Sequence, residues 1–215
     1  MSQWVRRREV IETARRTVAA GLTYGTSGNV SVRVPEGFLV TPTGLPYDQL
    51  QPSDIVLLDL AGRVEPRQRK PSSEWRIHRD IYAARPDAGA VIHVHPTFAT
   101  TISCLRRELP AVHYMLAVAG GAPVRCAAYA TFGTQELSDA VLAALEGRFA
   151  CLMANHGLVA LAPDLDCALA TAVEVEKVAE VYWRALSVGA PVVLDEAEMA
   201  RVMEAFKDYG QQPAT

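Results

Sequence analysis

Apolar residues recur along this chain with two periods, and the switches between them predict its elements. Over residues 5–20, Val10, Ile11, Ala14 and Val18 share one helical side with arginines opposite, and Gly21 fits the C-terminal cap. Two short strands, 30–34 and 38–41, flank Pro35-Glu36-Gly37, a hairpin signal. A further strand at 55–60 turns at Ala61-Gly62-Arg63, and a helix over 73–84 stops ahead of Pro86. Ala90-Val91-Ile92 runs into His93-Val94-His95, a short buried strand closed by Pro96. Residues 134–145 read as helix, with Leu137, Val141 and Leu145 at spacing four. Apolar runs at 149–153 and 158–161 flank Asn155-His156-Gly157, a hairpin with a histidine at its tip. Pro163-Asp164 opens a long helix with the stripe Leu165, Leu169, Ala172, Ala179, Trp183 and Leu186, ended by Gly189 and Pro191. Asp195 caps a last helix bearing Met199, Val202, Met203 and Phe206. Several hairpins and few strand–helix–strand units imply an α/β chain with a largely antiparallel sheet covered by helices. No repeat or linker divides residues 1–215 into domains.

Composition narrows the class of function. The 215 residues are 50% hydrophobic and carry a net charge of −3, enough for a sizeable core. The one basic run, Arg6-Arg7-Arg8, is cut off by Glu9, so nucleic-acid binding has little electrostatic support. No apolar stretch reaches the length of a membrane span, and the first dozen residues lack the apolar core of a secretory signal. A cytoplasmic location is expected. Cys104, Cys126, Cys151 and Cys167 stand singly with no Cys-x-x-Cys pair, which predicts buried free thiols.

Against this ordinary background the histidines stand out. Strand alternation places His93 and His95 on one face, roughly 7 Å apart along it, where two imidazoles can converge on one metal ion. A catalytic zinc uses three protein ligands and keeps an open position. His156, at a hairpin tip, is the best third candidate, although Asn-His-Gly is also ordinary turn chemistry. His78, mid-helix, reads as a helix-surface or interface histidine, and His113 as a hydrogen-bonded core residue. The absence of paired cysteines points to a reaction centre rather than a structural site.

Lys70-Pro71-Ser72-Ser73-Glu74 is a second constellation. Ser72 or Ser73 fits a helix N-cap, with Glu74 favourable to the helix dipole. The same hydroxyls and free N–H groups can also hold a phosphate, leaving Glu74 to face both substrate and metal. Thr26-Ser27-Gly28-Asn29 and Thr41-Pro42-Thr43-Gly44 are two more loops rich in small donors. Apart from Lys70 no lysine lies in these motifs, which leaves Schiff-base chemistry without a candidate.

Gly28-Asn29-Val30-Ser31, Thr41-Pro42-Thr43-Gly44, Pro71-Ser72-Ser73-Glu74, His93-Val94-His95 and Asn155-His156-Gly157 occur in an order that resembles the class II aldolase/adducin family. His113-Tyr114-Met115 and Tyr129-Ala130-Thr131-Phe132-Gly133-Thr134 narrow the resemblance to the branch acting on ketose 1-phosphates such as L-fuculose 1-phosphate. It runs from about Gly21 to Tyr209. The resemblance implies a single α/β/α sandwich domain with a largely antiparallel central sheet. It also implies a homotetramer with active sites between subunits. One zinc per subunit would be held by His93, His95 and His156, with Glu74 as fourth ligand and acid/base. Phosphate would be held by Gly28, Asn29, Thr43, Gly44, Ser72 and Ser73. Tyr114 would reach a neighbouring site as a proton donor, and Tyr209 would close over the site. The expected reaction is reversible cleavage to dihydroxyacetone phosphate and an aldehyde. A pentulose-phosphate 4-epimerase or a methylthioribulose-1-phosphate dehydratase would use the same scaffold, and a non-catalytic adducin-like domain would lack the ligands present here.

Overall fold

Strand residues in this chain alternate between two faces that are both covered, so most of its strands read as unbroken apolar runs. A computed structural model describes residues 2–207. Seven strands form one sheet: β1 (Asn29–Val34), β2 (Gly37–Val40), β3 (Val56–Leu58), β4 (Ala90–Val94), β5 (Cys126–Ala127), β6 (Ala150–Met153) and β7 (Gly157–Ala162). Their order is β3-β2-β1-β4-β7-β6-β5, and only the β5–β6 pair is parallel. Among the described residues six α-helices accompany them: α1 (Gln3–Ala19), α2 (Trp75–Ala84), α3 (Thr97–Cys104), α4 (Gln135–Ala144), α5 (Leu165–Val188) and α6 (Glu196–Phe206).

The even positions of β4, namely Ala90, Ile92 and Val94, join Leu158, Ala160 and Ala162 of β7 in one core. There they pack against Val10 and Ile11 of α1 and Leu169, Ala172 and Val175 of α5. Val91 of β4 with Val159 and Leu161 of β7 join the opposite core, against Ile77 and Ile81 of α2 and Leu137 and Val141 of α4. The architecture is therefore helix, sheet, helix, and β4 is buried at all five positions. Each large aliphatic side chain buried this way contributes about 1.5–3 kcal/mol relative to exposure.

Most expected elements lie within two residues of their predicted bounds. The differences have local causes. The helix expected from 73 begins at Trp75, and the residue before it, Glu74, makes no side-chain cap. Helix α3 was not expected; its first amides are capped by a residue from α5, as Glu176 accepts from Phe98 N–H and Ala99 N–H at 2.9 and 2.7 Å. Val18, Trp183 and Leu186, read as core-facing, are 43%, 46% and 42% exposed: in the last turn of α1 Thr17 takes the buried face instead of Val18, and the buried residues of α5 end at Ala179. The cysteines are not uniformly buried: Cys151 is, Cys126 is half-buried, and Cys104 and Cys167 are exposed at helix ends. Tyr209 lies outside the described residues. Among those described, no helix is long and apolar enough to cross a membrane.

Candidate metal centre and substrate cleft

Three adjacent strands at the middle of the sheet bring the histidines together. His93 lies in β4, paired with Asn29 of β1 on one side and Val159 of β7 on the other. His95 follows two residues on, just past the strand's end. His156 sits in the three-residue turn between Met153 and Gly157, which are paired across β6 and β7. The left-handed Asn155 (φ 53°) makes that turn, and Arg106 Nε donates to Asn155 Oδ1 at 2.9 Å. Rather than standing 7 Å apart, the rings of His93 and His95 tilt together until their Nε2 atoms are 2.9 Å apart. One nitrogen from each of the three imidazoles lies within 4.8 Å of the other two, a group able to hold a metal ion.

Two glycines permit this convergence. A Cβ on Gly28 would stand 2.7 Å from the carbonyl oxygen of His93. One on Gly157 would stand 2.4 Å from the Val94 carbonyl oxygen and 2.8 Å from His95 Cδ2.

Glu74 completes the cluster. Its carboxylate is 6% exposed, with Oε2 3.1 Å from His93 Nε2 and Oε1 3.3 Å from His156 Nε2. Asn29 Nδ2 donates to Oε2 at 3.1 Å. Among the described residues Oε1 has no hydrogen-bond donor despite its burial, which is the mark of an acceptor awaiting a cation. His93 points the same way. Its Nδ1–H donates to the Leu158 carbonyl at 3.0 Å, so the neutral ring turns its Nε2 lone pair toward His95 Nε2 and Glu74 Oε2. Three acceptors facing one point repel one another unless a positive charge lies between them. The residues therefore fit a divalent metal.

The electrostatics agree. Burial, with the neighbouring His93, holds His95 down at about 3 and His156 at about 4, so both are neutral and ready to ligate at pH 7. Burial would raise Glu74, but His93, His156 and the Asn29 amide outweigh it and hold the carboxyl well below the ordinary range. Burial would likewise lower His93, but the Glu74 carboxylate outweighs it and raises that ring.

The small-donor loops gather above this cluster. Thr43 N–H donates to Lys70 O at 3.2 Å and Ser72 N–H to Thr41 O at 3.0 Å, with Pro42 and Pro71 paired between them. Loop 24–28 is held by Thr23 Oγ1 on the Ser27 carbonyl at 2.7 Å. Ser72 does not cap the helix from its own N-cap position; its Oγ accepts from Glu74 N–H at 3.3 Å, fixing the carboxylate's backbone.

The result is a cleft of about 380 Å³ lined by Thr26, Ser27, Gly28, Asn29, Thr43, Ser72, Ser73, Glu74, His95 and His156, among others. His93 lies behind it, fully buried, and Gly44 adjoins Thr43 without lining it. Asn29 is 2% exposed, and its side-chain amide is already bonded to Glu74 and His78. Tyr114 is not in this cleft. It is 49% exposed, stacked on His113 with ring centres 4.8 Å apart, and near Phe206.

Tyr129, Ala130, Phe132 and Asn155 also line the cleft without having been singled out for it. Tyr129 and Phe132 are 57% and 65% exposed. Their signal was an aromatic pair on a loop just ahead of the α4 cap, Thr134; Arg76 Nη1 ties that loop to α2 through the Gly133 carbonyl at 3.0 Å. His78, read as a helix-surface or interface histidine, is fully buried between Asn29 and Ser31.

Known proteins are similar to this chain in sequence and in fold. The profile of the family described as Class II Aldolase and Adducin N-terminal domain matches residues 8–183. A Rhodospirillum rubrum protein named 5-methylthioribulose-1-phosphate/5-deoxyribulose-1-phosphate aldolase is 53% identical over 204 residues, covering 95% of this chain and 92% of its own. The L-fuculose phosphate aldolase of Escherichia coli K12 is 49% identical over 204 residues, covering 94% of each. A solved structure titled L-fuculose 1-phosphate aldolase superposes with a TM-score of 0.91 at 45% identity, covering 94% of this chain and 96% of that one. By profile, by near-full-length identity and by fold, this chain belongs to the class II aldolase and adducin family, on its enzymatic, aldolase side.

Proposed function

We propose that this protein is a zinc-dependent aldolase that reversibly cleaves a ketose 1-phosphate to dihydroxyacetone phosphate and an aldehyde. The observation that carries the reading is the buried carboxylate of Glu74, facing three imidazoles at the floor of a cleft walled by small hydroxyl and amide donors. Three imidazoles and a carboxylate suit zinc. His93, His95, His156 and Glu74 would hold the metal, which would supply Lewis-acid stabilisation of the negative charge left by C–C cleavage, worth several kcal/mol.

The chain's own residues do the rest. Gly28, Asn29, Thr43, Gly44, Ser72 and Ser73 hold the phosphate and so fix the reacting carbons over the floor. Asn29 has one amide hydrogen left for this after its bond to Glu74. Glu74 carries the proton at the carbon that gains or loses it, a contribution of about 10²–10⁴-fold. Tyr114 serves the aldehyde oxygen of a neighbouring subunit's site, and Tyr209 closes over the site. The exposed apolar residues Tyr114, Trp183, Leu186 and Met203 support assembly, and we take the assembly to be a homotetramer in the cytoplasm. Tyr129 and Phe132 offer apolar area to the unphosphorylated end of the substrate.

Relatives named for 5-deoxyribulose, 5-methylthioribulose and L-fuculose phosphates stand at similar identity, and tails of this size differ by only about 1–3 kcal/mol in a pocket. The test is product analysis over those three ketose 1-phosphates. Free dihydroxyacetone phosphate, formed only with metal present, is expected from at least one. Epimerised or dehydrated product without it would overturn the reading.

A further inference from the structure

Behind Glu74 and Asn29 runs a buried ladder of polar side chains, of which His78, Ser31 and Tyr82 have no part in the reaction as read above. Glu74, His78 and Tyr82 are spaced by four and share one side of α2 and its cap, while Asn29 and Ser31 are spaced by two and share one face of β1. Where the two meet, Tyr82 Oη is 2.7 Å from Ser31 Oγ, and Ser31 Oγ is 2.6 Å from His78 Nδ1. His78 Nε2 is 2.5 Å from Asn29 Oδ1, and Asn29 Nδ2 is 3.1 Å from Glu74 Oε2. Ser31 and His78 are wholly buried, and Asn29 and Tyr82 are each 2% exposed.

Elementary donor–acceptor chemistry fixes every direction along this ladder. An ionised carboxylate only accepts, so the Asn29 atom facing Glu74 is the amide nitrogen and the atom facing His78 is the oxygen. That oxygen only accepts, so His78 carries its hydrogen on Nε2. Its Nδ1 is then a lone pair, which accepts the Ser31 hydroxyl hydrogen. Ser31 in turn accepts from Tyr82. Four donations run in series toward the carboxylate, and the order reverses nowhere.

We propose that His78 is a positioning residue: through its Nε2–H it holds the Asn29 amide with nitrogen toward Glu74, and so aims the carboxylate at the metal cluster. Without that hydrogen the two orientations of the Asn29 amide are no longer distinguished, and the orientation that presents oxygen to the carboxylate repels it. The proposal rests on the reading of Glu74 as a metal-facing acid/base, and its test separates the two.

Histidine-labelled, metal-loaded protein is examined by ¹⁵N NMR, with His78→Leu assigning the signal. The expected tautomer carries hydrogen on Nε2 with a bare Nδ1; the opposite tautomer overturns the proposal. In His78→Leu, kcat and metal affinity by chelator competition are each expected to fall about 10–100-fold. His78→Gln, whose amide N–H can reach Asn29 Oδ1, is expected to recover most of both at an equal or lower melting temperature. Wild-type kcat and metal affinity in His78→Leu would overturn the proposal. So would losses that follow melting temperature alike in the Leu and Gln variants. Glu74→Ala is the separating control: unimpaired metal binding and turnover there would refute the functional reading itself, whatever His78 does.

Discussion

Replacing Gly157 by alanine would probe the metal cluster without touching a ligand. The added Cβ would lie 2.4 Å from the Val94 carbonyl oxygen, about 1 Å inside ordinary contact. It would also lie 2.8 Å from His95 Cδ2. Neither neighbour is a yielding side-chain end: one is backbone of β4 and the other is a ring of the cluster. Gly157 has no positive φ, so the cost is purely steric. Strand β7 must back away, carrying the His156 turn with it, or the His95 ring must rotate. Either shift is of order 1 Å, against a tolerance of about 0.2 Å for metal–ligand distances. Misplacement of that size costs on the order of 10²-fold in turnover. Overpacking adds about 1–3 kcal/mol of lost stability, each kcal/mol lowering Tm by roughly 2–4 °C for a chain of this length. Chelator competition, steady-state kinetics and a melting curve on the one variant read all three. Gly189→Ala is the control, since its Cβ would meet nothing within 4 Å and its φ of 175° is extended backbone. Wild-type metal affinity and turnover in Gly157→Ala, or equal damage in Gly189→Ala, would refute the reasoning.

His95→Ala should lose bound metal and activity together; stoichiometric metal in that protein, measured by elemental analysis, would remove His95 from the site. Mixing Tyr114→Phe and Glu74→Gln chains after subunit exchange should restore activity above the mean of the two pure variants, because some sites then receive neither defect. A mixture no better than that mean would place Tyr114 in its own subunit's site or outside catalysis. In metal-free protein, His78, His95 and His156 stay neutral to between about 3 and 4. The unfolded chain takes up their protons below about 6.5. Stability should therefore fall as pH drops from 6.5 toward 4, by roughly 1 kcal/mol per pH unit for each proton. His93 is raised by Glu74 instead and does not add to that slope. A denaturant-unfolding midpoint flat across it would contradict the burial argument.

The readable part of the sequence was the part whose signals are local. Asp164, Asp195 and Thr134 each cap their own helix, accepting from the amide three residues on, and those helices begin where the caps predict. Helix α3 lacks such a signal, because its cap, Glu176, arrives from another helix 77–78 residues away. The three clustered histidines were legible because strand alternation and a turn motif are local too. His78 was not: one helix cannot reveal what packs on it, and burial without charge became possible only where Asn29 and Ser31 of β1 satisfy both ring nitrogens. Glu74 and the small-donor loops were legible from their residue types, the resemblance assigned their roles, and of Gly28, Asn29, Thr43, Gly44, Ser72, Ser73 and Glu74 the cleft gathers all but Gly44. The aromatic wall of Tyr129 and Phe132 had no predicted role, since a loop's partners are set by tertiary contacts such as Arg76 with Gly133.

Strand β4 sits fourth of seven, flanked by three strands on each side, and every residue in it is buried. Segments of that kind exchange their amide hydrogens only through global unfolding. The backbone under His93 is therefore expected to open only when the whole molecule does, and a metal held there would not escape by a local breathing of its own strand. Its release would proceed through the cleft mouth, past His95 and the His156 turn, whose side chains are partly exposed. The lifetime of such a loaded state would then be set by exchange at that mouth, while the geometry that receives a new ion would persist as long as the fold does.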